Sequence, residues 1–324
     1  MEDRAAKSIL VIQDEPEETL ETLRAFAPDL GFFACTPGES VQQALERVRP
    51  DIVFGLHGTR YPAHDHAVAL DFPTVRWMHN GGAGIDHLHP WNPERILVTN
   101  SAGVSSRFMA ETVACAVLMM NFGFPRYLRQ QQEHVWQKNP WTSLSAKTVL
   151  VVGLGGIGTL VAERLRVFGA HVIGARRSAR PCAAVDELVP MDRLAEHLPR
   201  ADYVCIHVPN TADTRHLVDA AFLSRMKPGA RLVNTARGAQ VDEAALIAAL
   251  RSGHLAGAYL DVFETEPLPE GSPLWDFPEV VITPHHADAA QGWQRGSVAF
   301  FKENLTRYRE GRPLANLCNP QAGY

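Results

Sequence analysis

Short apolar runs alternate with helix-period segments along most of this 324-residue chain, which restricts it to parallel βαβ architecture. In the first hundred residues, runs 9–12, 32–35, 51–56, 75–79 and 97–99 are predicted strands. Leu20, Leu23 and Phe26 recur at helical spacing after the first run. Val41, Ala44, Leu45 and Val48 do the same after the second. A second series begins at Thr148, with strands predicted over 148–152, 171–174, 203–207, 231–235, 258–262 and 280–283. Helices 156–168 and 243–251 lie within it, closed by Gly169 and Gly253. Segment 106–122 predicts a long helix that is apolar on nearly every side, hence a buried element and a candidate dimer contact. A last helix, about 291–309, has no strand after it. The class is α/β with two doubly wound domains.

Composition removes several kinds of function. The balance of 46% hydrophobic and 21% charged residues is that of an ordinary globular protein. A net charge of -5 argues against a nucleic-acid partner. Cys35, Cys115, Cys182, Cys205 and Cys318 are scattered without a CxxC pair, which argues against a disulfide framework and for a reducing compartment. The N-terminus lacks an apolar signal core. The uncharged run Thr112 to Pro125 is shorter than the ~20 apolar residues of a membrane span. A cytoplasmic protein without a membrane contact is therefore expected. His64 with His66, and His87 with His89, lack the partners of a closed metal site, so no metal is expected.

The segment Gly153-Leu154-Gly155-Gly156-Ile157-Gly158 fits GxGxxG and stands between an apolar strand and an amphipathic helix. Gly153 makes the tight turn, Gly155 admits a pyrophosphate, and Gly158 lets the helix pack against the sheet. The pyrophosphate would then meet backbone N–H groups at a helix N-terminus. An NAD site places an acid at the end of the following strand, to hold the ribose hydroxyls. Here Arg176-Arg177-Ser178 occupies that place, with Arg180 beyond. Guanidinium groups suit a 2′-phosphate, so NADPH is expected over NADH.

Three later segments place polar residues just past apolar strands, at the sheet edge that lines the ligand crevice in this architecture. They carry Arg237, then Asp261 and Glu266, then His285. An arginine, a carboxylate and an imidazole beside a nicotinamide are the groups that reduction of a 2-oxo acid requires. His286 is the neighbour of His285, and alternation along the chain turns only one of the two to the crevice.

These residues, read as NTARG, DVFETEP, PLW and TPH and joined by VDEAALIAALRSGHLAGA, resemble the D-isomer-specific 2-hydroxyacid dehydrogenases. The glycine turn, Leu144-Ser145-Ala146-Lys147-Thr148, and His207-Val208-Pro209 with Thr211 and Thr214 strengthen the likeness, and the closing Gly323-Tyr324 suits it. The resemblance implies a flavodoxin-like substrate domain, 1–103 with 288–324, and an inserted Rossmann dinucleotide-binding domain, 104–287. It implies that Arg237 binds the substrate carboxylate, that His285 donates the proton, and that Glu266 keeps His285 charged. Asp261 would hold the nicotinamide carboxamide. Ile157, Gly156, His207, Val208, Pro209, Thr214, Thr235, Ala236 and Ala287 would complete the dinucleotide site. The glycine-rich loop 80–86 would offer the amides of Gly82 and Ala83, with Asn80, to the same carboxylate.

The expected activity is NADPH-preferring reduction of a small 2-oxo acid, glyoxylate or hydroxypyruvate first, in a homodimer whose domains close around hinges near Gly103 and Ala287. Phosphoglycerate or D-lactate dehydrogenase-type substrates are alternatives. The chain ends soon after its last helix, which argues against the regulatory module of longer phosphoglycerate dehydrogenases. A dinucleotide-sensing scaffold, like the corepressors sharing this fold, is an alternative of another kind.

Overall fold

The computed structural model describes residues 7–88, 90–178 and 180–321. His89, Gly323 and Tyr324 lie outside the described residues. The chain forms two compact units, Met1–Ser105 with Gln291–Tyr324, and Ser106–Ala290. The sequence expectation put those divisions at 103/104 and 287/288.

In the first unit, strands β1 (Ser8–Ile12), β2 (Gly31–Ala34), β3 (Ile52–Gly55), β4 (Trp77–Asn80) and β5 (Leu97–Asn100) form one parallel sheet in the order β2-β1-β3-β4-β5. This is the flavodoxin-like order. Alternation along β1 sends Leu10 and Ile12 into one core and Ile9 and Val11 into the other, so both faces are covered. The helix Val41–Val48 starts at Ser40, whose hydroxyl accepts from Gln43 N while Gln43 bonds back to the Ser40 amide. The helix Trp293–Arg309 packs Phe301 against Phe54 and Trp77. β4 starts later than predicted, because Val75 N bonds to Phe72 O in the preceding turn.

The second unit carries β6 (Thr148–Val152), β7 (His171–Arg176), β8 (Glu187–Pro190), β9 (Tyr203–Ile206), β10 (Arg231–Asn234), β11 (Gly257–Leu260) and β12 (Val280–Ile282). They form one parallel sheet in the order β12-β11-β10-β9-β6-β7-β8, which reverses direction between β6 and β9. That is the dinucleotide-binding arrangement, with its crevice at the reversal. Leu150 and Val152 of β6 face one core, Val149 and Val151 the other. β8 was absent from the sequence reading: it is a short edge strand ending in Pro190, with only Val189 buried. The helix Ser106–Phe122 buries Ala110, Val113, Ala116 and Val117. The Gln-, Trp- and Arg-rich stretch after it holds a further helix, Phe124–Gln132, with no buried residue. No single described helix is long and apolar enough to cross a membrane.

Candidate active site

The second unit brings Arg237, Glu266 and His285 together from three loops at the C-terminal ends of β10, β11 and β12. His285 Nδ1 lies 2.7 Å from Glu266 Oε2. Glu266 Oε1 accepts from Phe263 N at 2.9 Å, which fixes the carboxylate plane. The Glu266 hydrogen bond holds the His285 pKa above the ordinary imidazole value, against burial and the charge of Arg237. Burial opposes ionisation of Glu266 and is outweighed by bonds from His285 and Phe263 and the charges of His285 and Arg237. Its carboxyl therefore lies below its ordinary range. Arg237 is within electrostatic reach of both partners. With Nδ1 engaged, Nε2 of His285 is the nitrogen left to exchange a proton with a ligand.

The backbone around these groups is held by residues that the motifs did not single out. Asn234 Nδ2 donates to Arg237 O, and Gln240, fully buried, accepts from Arg237 N and donates to Val208 O. Gly238 lies directly on the Phe263–Glu264 backbone, where any Cβ would collide, so the Arg237 and Glu266 loops stack only with glycine there. His216 joins the same two loops: its N–H bonds to Ala239 O, and Nε2 lies 2.5 Å from Glu264 Oε1. Single-residue reading of a loop carries no signal for such cross-loop ties.

Asp261 is tied into the turn that carries His285. It is 1% exposed, Oδ1 accepts from Thr283 Oγ1 at 2.5 Å and His286 N at 2.8 Å, and Oδ2 accepts from Ala287 N at 3.0 Å. Its carbonyl accepts from His285 N at 2.8 Å. His285 sits at φ +51°, a left-handed conformation that costs a non-glycine residue on the order of 1–2 kcal/mol. Asp261 thus over-determines the turn that presents His285. Thr214 is tied into its own loop: its hydroxyl accepts from Thr211 N and donates to Pro209 O.

The glycine turn fits a dinucleotide. Gly153 has φ +100°, and a Cβ there would lie 2.6 Å from His207 O. At Gly158 a Cβ would run into Gly153 O, whereas the space beyond Gly155 is open. Gly155 and Gly156 are exposed and Ile157 half-buried. The first turn of the helix Gly156–Val167 holds no acidic side chain, leaving its N-terminus positive. Both ring nitrogens of His207 and the Thr235 hydroxyl are buried without a protein partner on this edge, so a bound ligand would satisfy them. Burial pushes His207 down to about 4, which keeps its ring neutral. Val208, Ala236 and Ala287 contribute backbone to the same edge. At the end of β7, Arg176 donates Nε to Ser178 O and Nη2 to Pro181 O, with Arg177 and Ser178 exposed. The sequence has no acidic residue over 176–181.

In the first unit the loop after β4 has every carbonyl from Asn80 to Gly84 tied inward. Ser101 N donates to Asn80 O and Gly82 O, Ser297 Oγ to Gly81 O, and Asn100 Nδ2 to Ala83 O. Asn80 Nδ2 donates to Gly82 O and Gly84 O. Among the described residues, the Gly82 and Ala83 N–H groups have no protein acceptor. Asn80 is fully buried; its Nδ2 holds the loop's shape, and its Oδ1 has no hydrogen-bond partner. Among the described residues no cluster of three His, Cys, Asp or Glu side chains could hold a metal ion.

The chain is similar to known proteins over nearly its whole length. The family model for the NAD binding domain of D-isomer specific 2-hydroxyacid dehydrogenases matches residues 114–287. A glyoxylate reductase of Korarchaeum cryptofilum is 33% identical over 97% of this chain and 96% of its own. A D-3-phosphoglycerate dehydrogenase of Mycobacterium bovis is 36% identical over 68% of this chain, a match spanning 42% of that protein's length. Among solved structures, a D-isomer specific 2-hydroxyacid dehydrogenase of Xanthobacter autotrophicus Py2, in complex with NADPH and MES, has a TM-score of 0.84 at 33% identity, covering 99% of this chain and 100% of its own. An NADPH-dependent glyoxylate/hydroxypyruvate reductase of Sinorhizobium meliloti has a TM-score of 0.83 at 26% identity over 98% of this chain and 100% of its own. The chain belongs to the D-isomer-specific 2-hydroxyacid dehydrogenase family.

Proposed function

We propose that this protein is an NADPH-preferring reductase of small 2-oxo acids, glyoxylate or hydroxypyruvate first, producing the D-2-hydroxy acid. The carrying observation is the 2.7 Å His285–Glu266 pair with Arg237 acting on both. Gly153, Gly155, Gly156, Ile157 and Gly158 would hold the pyrophosphate, with His207, Val208, Pro209, Thr235 and Ala236 along the crevice. Arg176, Arg177 and Ser178 would take the 2′-phosphate. When bound, the dinucleotide supplies a hydride to the carbonyl carbon. Arg237 would anchor the substrate carboxylate through a two-pronged, charge-assisted contact and aim the carbonyl. The carbonyl oxygen gains negative charge as the carbon is reduced, and His285 Nε2 delivers the proton that converts it to the hydroxyl. Glu266 keeps that imidazole charged beforehand and holds its ring afterwards. In the first unit, the Gly82 and Ala83 N–H groups would bind a carboxylate.

The 36% identity to phosphoglycerate dehydrogenases supports a phosphorylated substrate as the second reading. A homodimer is proposed from the exposed apolar side chains of 122–141, including Phe124, Leu128 and a Trp136 that is 98% exposed. All five cysteines are free, which suits a reducing, cytoplasmic setting.

The test is steady-state turnover of NADPH and NADH with glyoxylate, hydroxypyruvate, pyruvate and 3-phosphohydroxypyruvate. We expect the highest kcat/KM for glyoxylate or hydroxypyruvate with NADPH. Dominance of the phosphorylated substrate would select the second reading, and no turnover across the panel would overturn the enzyme assignment.

A further inference from the structure

The first unit contains a line of buried polar side chains that ends on the loop after β4. Trp77 Nε1 donates to Thr99 Oγ1 at 2.8 Å. Thr99 Oγ1 lies 2.7 Å from His79 Nδ1, and His79 Nε2 lies 3.0 Å from Ser101 Oγ. Ser101 Oγ lies 2.8 Å from Ser297 Oγ, which is 3.1 Å from Gly81 O. Trp77, His79, Thr99 and Ser297 are fully buried, and Ser101 is 3% exposed.

Proton counting fixes the direction of the line. Gly81 O only accepts, so the single Ser297 proton goes to it, and Ser101 must donate to Ser297. His79 Nε2 must then donate to Ser101, and Nδ1 must accept from Thr99, whose oxygen already receives the indole N–H. All five contacts are satisfied only by a neutral His79 protonated on Nε2. The other tautomer strands the Thr99 proton and Gly81 O in the interior, where an unmade hydrogen bond is costly. A fully buried ring pushed down to about 3 agrees with a permanently neutral His79.

We propose that this line is a positioning relay that sets the Gly81–Gly82 peptide, and through it the orientation of the Gly82 and Ala83 N–H groups, which would receive the substrate carboxylate. Other contacts make the loop responsive at this point. Gly81 N bonds to Gly55 O at 2.7 Å, and a Cβ at Gly81 would crowd Leu56 and Gly55 O. Residue Gly81 is therefore gripped at its N–H from β3 and at its carbonyl from the relay, which fixes the peptide planes on both sides of it. Gly296 lies close to Val104, where a Cβ would come within 2.7 Å of the valine side chain, and this brings Ser297 up to the loop. His79 touches neither substrate nor cofactor. The identity of the anion rests on the proposed function; the relay itself does not.

The experiment compares full-length wild type with Ser297→Ala, His79→Leu and His79→Gln. Glutamine is the conservative variant, because its amide oxygen and nitrogen can accept from Thr99 and donate to Ser101 on the same carbon. We expect Ser297→Ala and His79→Leu to raise KM for glyoxylate and Kd for oxalate together by about fivefold to tenfold, the worth of about one hydrogen bond. NADPH affinity and kcat should stay near wild type, and His79→Gln should recover most of the loss. KM and oxalate affinity within twofold of wild type in both Ser297→Ala and His79→Leu would overturn the proposal, whatever happens to Tm. The His79 tautomer in 15N–1H correlation spectra decides the relay even in a protein with no turnover. A ring protonated on Nε2 that does not titrate between pH 5 and 8 supports it, and an Nδ1–H ring or one titrating in that range overturns it.

Discussion

Replacing Asp261 with Asn separates two roles that make opposite forecasts. The carboxylate accepts three hydrogen bonds, from Thr283 Oγ1, His286 N and Ala287 N, in a site that is 1% exposed. An asparagine keeps one acceptor oxygen. Placed toward Thr283 and His286, that oxygen leaves the amide NH2 facing the Ala287 N–H, donor against donor. A stranded buried N–H costs about 1–3 kcal/mol, and each charge-assisted bond that becomes neutral loses about 1 kcal/mol. The expected destabilisation is therefore about 3–5 kcal/mol. At about 2–4 °C per kcal/mol for a unit of this size, Tm should fall by roughly 6–20 °C. The turn holding His285 at φ +51° would relax toward ordinary backbone and withdraw the imidazole from Glu266. We expect kcat for glyoxylate to drop by about a hundredfold, within the worth of a positioned general acid, with NADPH affinity changed less than threefold. Thermal unfolding, NADPH fluorescence titration and steady-state kinetics on one preparation give all three quantities. A Tm within one degree of wild type together with a large rise in NADPH Kd would refute the turn-anchor reasoning and restore Asp261 as a carboxamide contact.

His285→Ala should abolish turnover, while His286→Ala, whose side chain is exposed and whose amide is held by Asp261, should retain most of it; the reverse pattern in kcat would overturn the facing assignment. Glu266→Gln removes the charge that raises the His285 pKa, so the high-pH limb of the reduction profile should move to lower pH. For stability, the pair contributes fully between the ordinary glutamate and histidine values, 4.5 and 6.5. Its contribution fades as pH falls through the lowered Glu266 value or rises through the raised His285 value, and urea unfolding across pH reads that window. Arg237→Ala should raise KM for the 2-oxo acid and lower kcat with NADPH affinity nearly unchanged, which a titration of both ligands checks. Arg176→Asp should shift the NADPH/NADH ratio of kcat/KM toward NADH, and an unchanged ratio would refute the role given to the guanidinium.

The legible parts of this molecule are those where one physical cause acts over several consecutive residues. β1, β6, β9 and β10 are apolar runs because both faces of a parallel sheet are covered, so period and hydrophobicity agree. β8 escaped notice because it is an edge strand with little burial, and the helix Phe124–Gln132 because its arginines and glutamines leave no apolar face. The glycine turn is legible for a stronger reason: Gly158 is required by the Gly153 carbonyl within the motif itself, and Gly153 by its φ of +100° and the His207 backbone.

Site residues followed the same logic at their first layer only. Arg237, Glu266 and His285 are each announced by position past a strand, and the loops that hold them are announced by nothing local. Gly238 is required by the Phe263–Glu264 backbone, Asp261 by amides more than twenty positions away, and Ser297 by a carbonyl on a loop from the opposite end of the chain. Asp261 shows why this matters for inference. An acid at the end of a Rossmann strand invites a cofactor role, and three donors from its own unit also converge on it, so the same carboxylate holds the His285 turn. A polar side chain at a functional edge is free to act on a ligand only after the backbone it must also hold has been counted, and that accounting requires coordinates.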